Sequence, residues 1–298
     1  MGVFVADTAY RAARMPNMGE TIMGTSFVLG PGGKGSNQAV ACARLGTETH
    51  LISKLGQDDF AKLALDTWQQ AGVVAHVEQV SESYTGAAHI FIEHSTGDNA
   101  IIVAPGAAAL IDIADIEAHA SLIADADTFV TQLEQPMAAA MRGLEIARAG
   151  GVTTVLNPAP AAVLPDNMLA LCDYITPNET ECEVLTGIAV QTLAQAKQAC
   201  EALRDLGVGT PIITMGDQGA FLYGHGLVPA VAAGAVIETT GAGDAFNGGF
   251  AAALAEKRSP LEAVRYGCTT AGISVTKAGT APSMPSRDMV EAFMRQVS

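Results

Sequence analysis

Residues Thr239 to Phe246 read TTGAGDAF. Gly241, Ala242 and Gly243 strip the chain of side chains, and Asp244 follows at once. The next run, DAFNGGFAAALAEK, spaces Phe246, Phe250 and Leu254 along one face of a predicted helix. The bare residues therefore sit at a helix N-terminus, where backbone N–H groups lack intrahelical partners and the dipole favours an anion. A phosphate can approach those amides because no side chain stands in the way. An acid in a first helical turn usually just stabilises the helix. Beside an anion hole, Asp244 has a further use: taking the proton of a hydroxyl that attacks a bound phosphoryl group.

A second glycine cluster, GPGGKGSNQAVACARLG, runs from Gly30 to Gly46. It contains G-x-G-x-x-G at Gly30, Gly32 and Gly35, but a lone match of this kind is weak. The carboxylate that a dinucleotide site needs at the end of the next strand is missing, since HLISKLG carries Lys54 there. Nor is it a Walker A loop, because Lys34 is followed by Gly35 rather than serine or threonine. What remains is bare backbone at Gly32 and Gly33 beside the cation Lys34 and the amide Asn37, donors suited to sugar hydroxyls. A tight turn with a surface lysine would account for the same residues. In TPNETE, Asn178 and Glu181 share a helix face at i, i+3, with Pro177 expected to start the helix. Such a pair could orient hydrated Mg²⁺, or it could simply be a capping box.

These residues need a scaffold. From about residue 110 onward, apolar runs (TFVTQL, GVTTVLNP, LCDYITP, TPIITMG) alternate with helical patterns. The alternation predicts an α/β fold with a mostly parallel sheet covered on both faces by helices. Ligands in such sheets sit beyond the carboxyl ends of the strands, where LNPAP, TPNETE, TMGDQG and TTGAGD all fall. AVIET, residues 235–239, reads as a further strand. Two earlier stretches, GETIMGTSFVLGPGG and YTGAAHIFIEHSTGDNAIIVAPGA, are β-rich, the second hairpin-like with its turn at Ser95–Asn99. They predict a small β lid, residues about 8–31 and 85–106, within one domain spanning 1–298. Ordinary edge strands are the alternative.

With 49% hydrophobic and 16% charged residues, the 298-residue chain can bury a large core. Its net charge of −15 argues against nucleic acid or an anionic membrane as the main partner. The five cysteines are scattered and odd in number, which predicts reduced thiols and a cytoplasmic location.

The segments PGGKGSNQAVACARLG, TQLEQP, LNPAPA, ITPNETECEVLTG, TMGDQGA, ETTGAGDAFNGG and GTAPSMP cover nearly the whole chain. In this order and spacing they resemble the ribokinase-like (phosphofructokinase-B-type) carbohydrate kinases. The resemblance implies an α/β sandwich with a β lid that forms a homodimer contact. It also implies ATP-dependent phosphorylation of a sugar's primary hydroxyl, with Mg²⁺ and K⁺ as cofactors. Carried over by position, Asp244 is implied as catalytic base and Gly241, Ala242 and Gly243 as the anion hole. Asp7, Gly33, Lys34, Asn37 and Glu134 match sugar-contacting positions. Asn178, Thr214, Gly216, Gly219 and Gly243 match the nucleotide site, with Cys268 where a polar residue often lines the adenine pocket. Glu181 matches the metal-linked glutamate, and Glu238, Thr240, Ser274, Lys277, Gly279 and Ser283 match the monovalent-cation loop. Four departures stand out. Val5 replaces a common asparagine near the sugar, Glu238 replaces an aspartate, and Cys268 is apolar. Gly2 stands where the family has just completed its first strand, so a core strand is expected to be short or missing.

Overall fold

A computed structural model describes residues 1–165 and 167–297. The first half of the chain contains β1 (Val5–Ala12), β2 (Ser26–Gly32), α1 (Lys34–Arg44), β3 (His50–Leu55), α2 (Asp59–Ala71), β4 (Val74–Gln79), β5 (Thr85–Glu93) and β6 (Asn99–Gly106). Two short helices, α3 (Ile113–Glu117) and α4 (Ala120–Ala124), lead to β7 (Thr128–Thr131), α5 (Met137–Ala149) and β8 (Thr153–Leu156). Then come β9 (Tyr174–Ile175), α6 (Glu179–Thr186), α7 (Leu193–Asp205), β10 (Thr210–Thr214), β11 (Gly219–Leu222) and β12 (Gly226–Pro229). The chain closes with α8 (Ala242–Ala255), α9 (Pro260–Ser274) and α10 (Arg287–Val297).

The main sheet has the order β12-β11-β10-β9-β8-β7. β7 to β10 run parallel, and β11 and β12 extend the sheet as an antiparallel edge. Neighbouring residues on its strands serve different cores. Leu156 and Ile213 join the apolar cluster under α5 and α7, whereas Val155 and Ile212 join the cluster under α8 and α9. Both faces are thus covered, which is why these strands read as continuous apolar runs rather than alternating ones. β3 and β4 form a separate parallel pair packed against α1 and α2.

The two β-rich early stretches meet in one four-stranded sheet, β2-β1-β5-β6. β1 pairs antiparallel with β2 and parallel with β5, and β5 pairs antiparallel with β6. Of the first stretch only Ser26–Gly32 is strand. Two further expectations change. AVIET is not a strand: the Ile237 and Glu238 amides both donate to the Val275 carbonyl, at 2.8 and 3.2 Å. Its β-branched residues are exposed, Val236 at 64% and Ile237 at 65%, so no buried face exists to hold a ladder. Pro177 does not start α6, because Asn178 is the N-cap and Glu179 the first helical residue. Met1 to Phe4 make no strand, yet Met1, Val3 and Phe4 are buried.

Candidate active site

The first turns of two helices meet, Asn37 of α1 reaching Asp244 of α8. α1 starts at Gly33 with φ 88°, and α8 starts at Gly241 with φ 80°, values in the left-handed region that glycine adopts without strain. Neither cap residue has a side chain to occupy the free amides. At α8 the Ala242 amide donates to the Thr239 carbonyl at 3.1 Å and the Ala245 amide to the Gly241 carbonyl at 2.9 Å. The Gly243 and Asp244 amides find no such carbonyl among the described residues. A Cβ placed on Gly243 would meet no protein atom within 4 Å, so packing does not demand glycine there. The space in front of it is open.

Close helix packing brings the second set of residues to Asp244. A Cβ on Gly248 would lie 2.5 Å from Ala41 Cβ, so the bare backbone lets α8 press directly on α1. The result is a buried carboxylate held from two sides. Asn37 Nδ2 donates to Asp244 Oδ2 at 2.9 Å, and Gln38 Nε2 donates to Asp244 Oδ1 at 3.0 Å. Gln38 also donates to Asn157 Oδ1 at 3.0 Å and accepts from Gln132 Nε2 at 2.6 Å. Thr176 Oγ1 donates to Asn247 Oδ1 at 2.6 Å, and Asn247 Nδ2 to the Gly243 carbonyl at 2.9 Å. This amide network was not foreseen from the sequence, although Gln38, next to Asn37 in the first turn of a helix otherwise lined by small residues, was the available signal.

The electrostatics are unusual for an acidic chain. Burial pushes the Asp244 carboxyl above its ordinary range, against the pull of the Lys34 charge and the two amide donors. Glu134 is pushed up to about 7, again mainly by burial, while Lys34 opposes the shift through its charge and its backbone N–H. That N–H donates to Glu134 Oε2 at 2.8 Å. Asp7 on β1 is pushed up to about 6 by burial and by the neighbouring charges of Asp244 and Glu238. Its carboxylate lies over Gly32, where any Cβ would overlap it at 2.3 Å. Asp7, Glu134 and Asp244 are thus coupled through their charges, with Lys34 acting on Glu134 and Asp244 and Asn37 holding Asp244.

Of the remaining expected residues, Glu238 acts on Asp7 through its charge, and Glu181 feels the charges of Lys34 and Asp244. Asn178 and Glu181 close on each other: Glu181 Oε2 accepts from the Asn178 amide at 2.9 Å, and Asn178 Oδ1 accepts from the Glu181 amide at 2.8 Å. This is a reciprocal capping box, with the Glu181 carboxyl raised by burial. Thr214 bridges to Asn178 across the strand ends, and Gly216 and Gly219 turn the corner from β10 to β11. Cys268 is buried in the apolar cluster of α8 and α9 rather than among polar groups. Glu238 Oε2 accepts from the Gly279 amide at 2.8 Å, which ties the Thr240 strap to the turn after α9. Ser274 and Ser283 donate their hydroxyls to the Ala271 and Thr280 carbonyls, each at 2.8 Å, and Lys277 is exposed. Among the described residues no three His, Cys, Asp or Glu side chains gather as a metal cage.

Comparison with known proteins identifies the family. The chain matches the pfkB family carbohydrate kinase pattern over residues 3–287. It is 39% identical to a ribokinase of Haemophilus influenzae over 297 residues, covering 99% of this chain and 97% of that one. It is 34% identical to a deoxyribokinase of Salmonella typhi, again covering 99% and 97%. The solved structure of Arabidopsis thaliana ribokinase complexed with ribose and ATP superposes with a TM-score of 0.92 at 30% identity, over 99% of this chain and 97% of that chain. Matched along nearly its full length by these relatives, the chain belongs to the pfkB family of carbohydrate kinases.

Proposed function

We propose that this carbohydrate kinase is an ATP-dependent ribokinase that converts D-ribose to D-ribose 5-phosphate. One observation carries the reading: Asp244, buried and held by Asn37 and Gln38, stands beside the free Gly243 amide. Asp7, Gly33, Lys34, Asn37 and Glu134 hold the sugar. As the sugar oxygen bonds to the γ-phosphorus and the bond to the β-phosphate oxygen breaks, Asp244 takes the hydroxyl proton. The Gly241–Gly243 turn offers its amides to the transferring group, a fixed donor set that needs no reorganisation. Asn178, Thr214, Gly216 and Gly219 form the nucleotide side, with Cys268 behind it.

Mg²⁺ neutralises phosphate charge when bound. Each Glu181 oxygen already accepts one hydrogen bond from Asn178 and keeps further acceptor capacity, which suits binding the waters of a hydrated ion. K⁺ takes oxygen ligands, and the Glu238 carboxylate with the backbone carbonyls around Thr240, Ser274, Lys277, Gly279 and Ser283 supplies that chemistry. The inward-turned serine hydroxyls leave the carbonyls as its donors.

The four-stranded sheet is the lid. Its Phe27, Val28, Leu29, Ile101, Ile102 and Val103 are all exposed, an apolar row that a second copy would cover to make a homodimer. The five cysteines are unpaired, which suits the cytoplasm.

A coupled ADP-release assay over D-ribose, 2-deoxyribose, fructose and a nucleoside tests the reading. Ribose should give the highest kcat/KM. Val5, 6% exposed and packed towards Gly86 of β5, favours one second reading. An apolar group near the sugar suits 2-deoxyribose, and a preference for that sugar would establish it. ATP binding without turnover on any substrate would instead point to a sensor.

A further inference from the structure

Three neighbouring strands of the main sheet end in polar residues: Gln132 follows β7, Asn157 follows β8 and Thr176 follows β9. Parallel pairing sets these ends side by side, and Gln38 of α1 reaches the first two. All four residues are buried, so water cannot stand in for a missing partner. Two groups in the row have a fixed polarity. The Thr176 carbonyl can only accept, and it takes Asn157 Nδ2 at 3.2 Å. Asn157 must therefore turn Oδ1 towards Gln38. An ionised Asp244 carboxylate can also only accept. Gln38 then presents Nε2 to both, at 3.0 Å each, which uses both of its N–H groups and leaves Oε1 for Gln132. Gln132 Nε2 donates to that oxygen at 2.6 Å. Turned over, the Gln38 amide would set its oxygen against two others and its nitrogen against a donor, a costly arrangement in a buried site.

We propose that Gln132 and Asn157 are positioning residues for the base: neither bonds to Asp244, yet together they lock the polarity of Gln38 so that the carboxylate always meets a donor and stays ionised. The proposal rests on the reading of Asp244 as the base. Burial drives this carboxyl towards its protonated form, and the Gln38 donor acts the other way. Asn37 is not locked in the same manner, because its Oδ1 has no partner among the described residues. The charges that act on Asp244 or feel it are Lys34, Asp7, Glu134 and Glu181. None of them belongs to the amide row, so the row can be altered while they stay in place.

The test records kcat against pH, with ribose and ATP saturating, for the wild type and for Gln132→Met, which keeps the volume and removes the donor. The acid limb should move up by about one pH unit, the size expected from a weakened hydrogen bond to a charged group. At high pH kcat should recover, and both KM values should stay nearly unchanged. Gln132→Asn, a gentler change that falls short of Gln38, should move the limb in the same direction. In a Gln38→Met background, where the intermediary is gone, Gln132→Met should shift the limb no further. An unmoved limb, a fall in Tm without a moved limb, or the same shift with and without Gln38 would overturn the proposal and leave Asp244 as the base. Turnover retained by Asp244→Asn would instead remove the base, and the lock with it.

Discussion

On the proposed function, the acceptor side and the donor side of the site are built by different means. Around Asp244, side chains from α1, α8 and the end of β8 are buried and hydrogen-bonded to one another before any ligand arrives. Around Asn178 and Gly216 the side chains satisfy each other, and what faces outward is a glycine corner and a backbone turn. The difference follows from the two tasks. A base must meet one proton at one angle, so its carboxylate is locked by two donors. A phosphate chain needs many weak donors along its length, and backbone amides supply them without side-chain entropy to lose.

Removing the base should separate the two sides most sharply. Asp244→Asn is expected to lower kcat by about 10²–10⁴-fold, with nucleotide affinity by calorimetry nearly unchanged. A parallel loss of binding would show that the two sides are not independent. Next in size is Gly243→Ala, which meets no protein atom. Tm should stay constant while kcat falls by about 10²-fold, because the added methyl fills the open space in front of an amide that is retained, an effect of the size of losing one anion-hole donor. A folding defect there would mean that the glycine serves packing after all.

Gly248→Val attacks the acceptor side from a residue outside the pocket. Forcing α8 off α1 should cost about 1–3 kcal/mol in urea unfolding and lower kcat through the loosened Asn37 and Gln38 contacts. The smallest effect is on pH dependence. Asp7 and Glu134 hold protons in the fold up to about 6 and about 7, whereas the unfolded chain releases them near pH 4. Over that window the folded state binds more protons, so stability falls as pH rises, and it levels off above about pH 7. Thermal scans between about pH 5 and about pH 8 should show this slope, and Glu134→Gln should flatten it.

Much of this was legible in the residues. The bare run before Asp244 and the buried parallel strands each carry a local signature, and each is found where the pattern puts it, whereas of the first β-rich stretch only Ser26–Gly32 is strand. AVIET failed because β-branched residues signal a strand only if a neighbour's edge and a buried face exist, and neither is visible in five residues. The Gln38–Asn157–Gln132 network could not be read because its members are 94 to 119 positions apart and meet only after α1 and the sheet are assembled. Gly248 was equally silent. A glycine inside a helical pattern looks like a defect until the opposing Ala41 is known.

The meeting of two helix N-termini in a chain of net charge −15 has a kinetic consequence. From afar, a polyanionic nucleotide is repelled by the molecule as a whole. Within the last ångströms it is drawn in by free amides and Lys34. Salt screens the first force far more than the second, since the Debye length of about 8 Å at physiological ionic strength spans the approach but not the contact. Added inert salt should therefore speed nucleotide capture, the reverse of what a basic cleft would do. The crowd of carboxylates then acts as a gate whose height is set by the ionic strength around it.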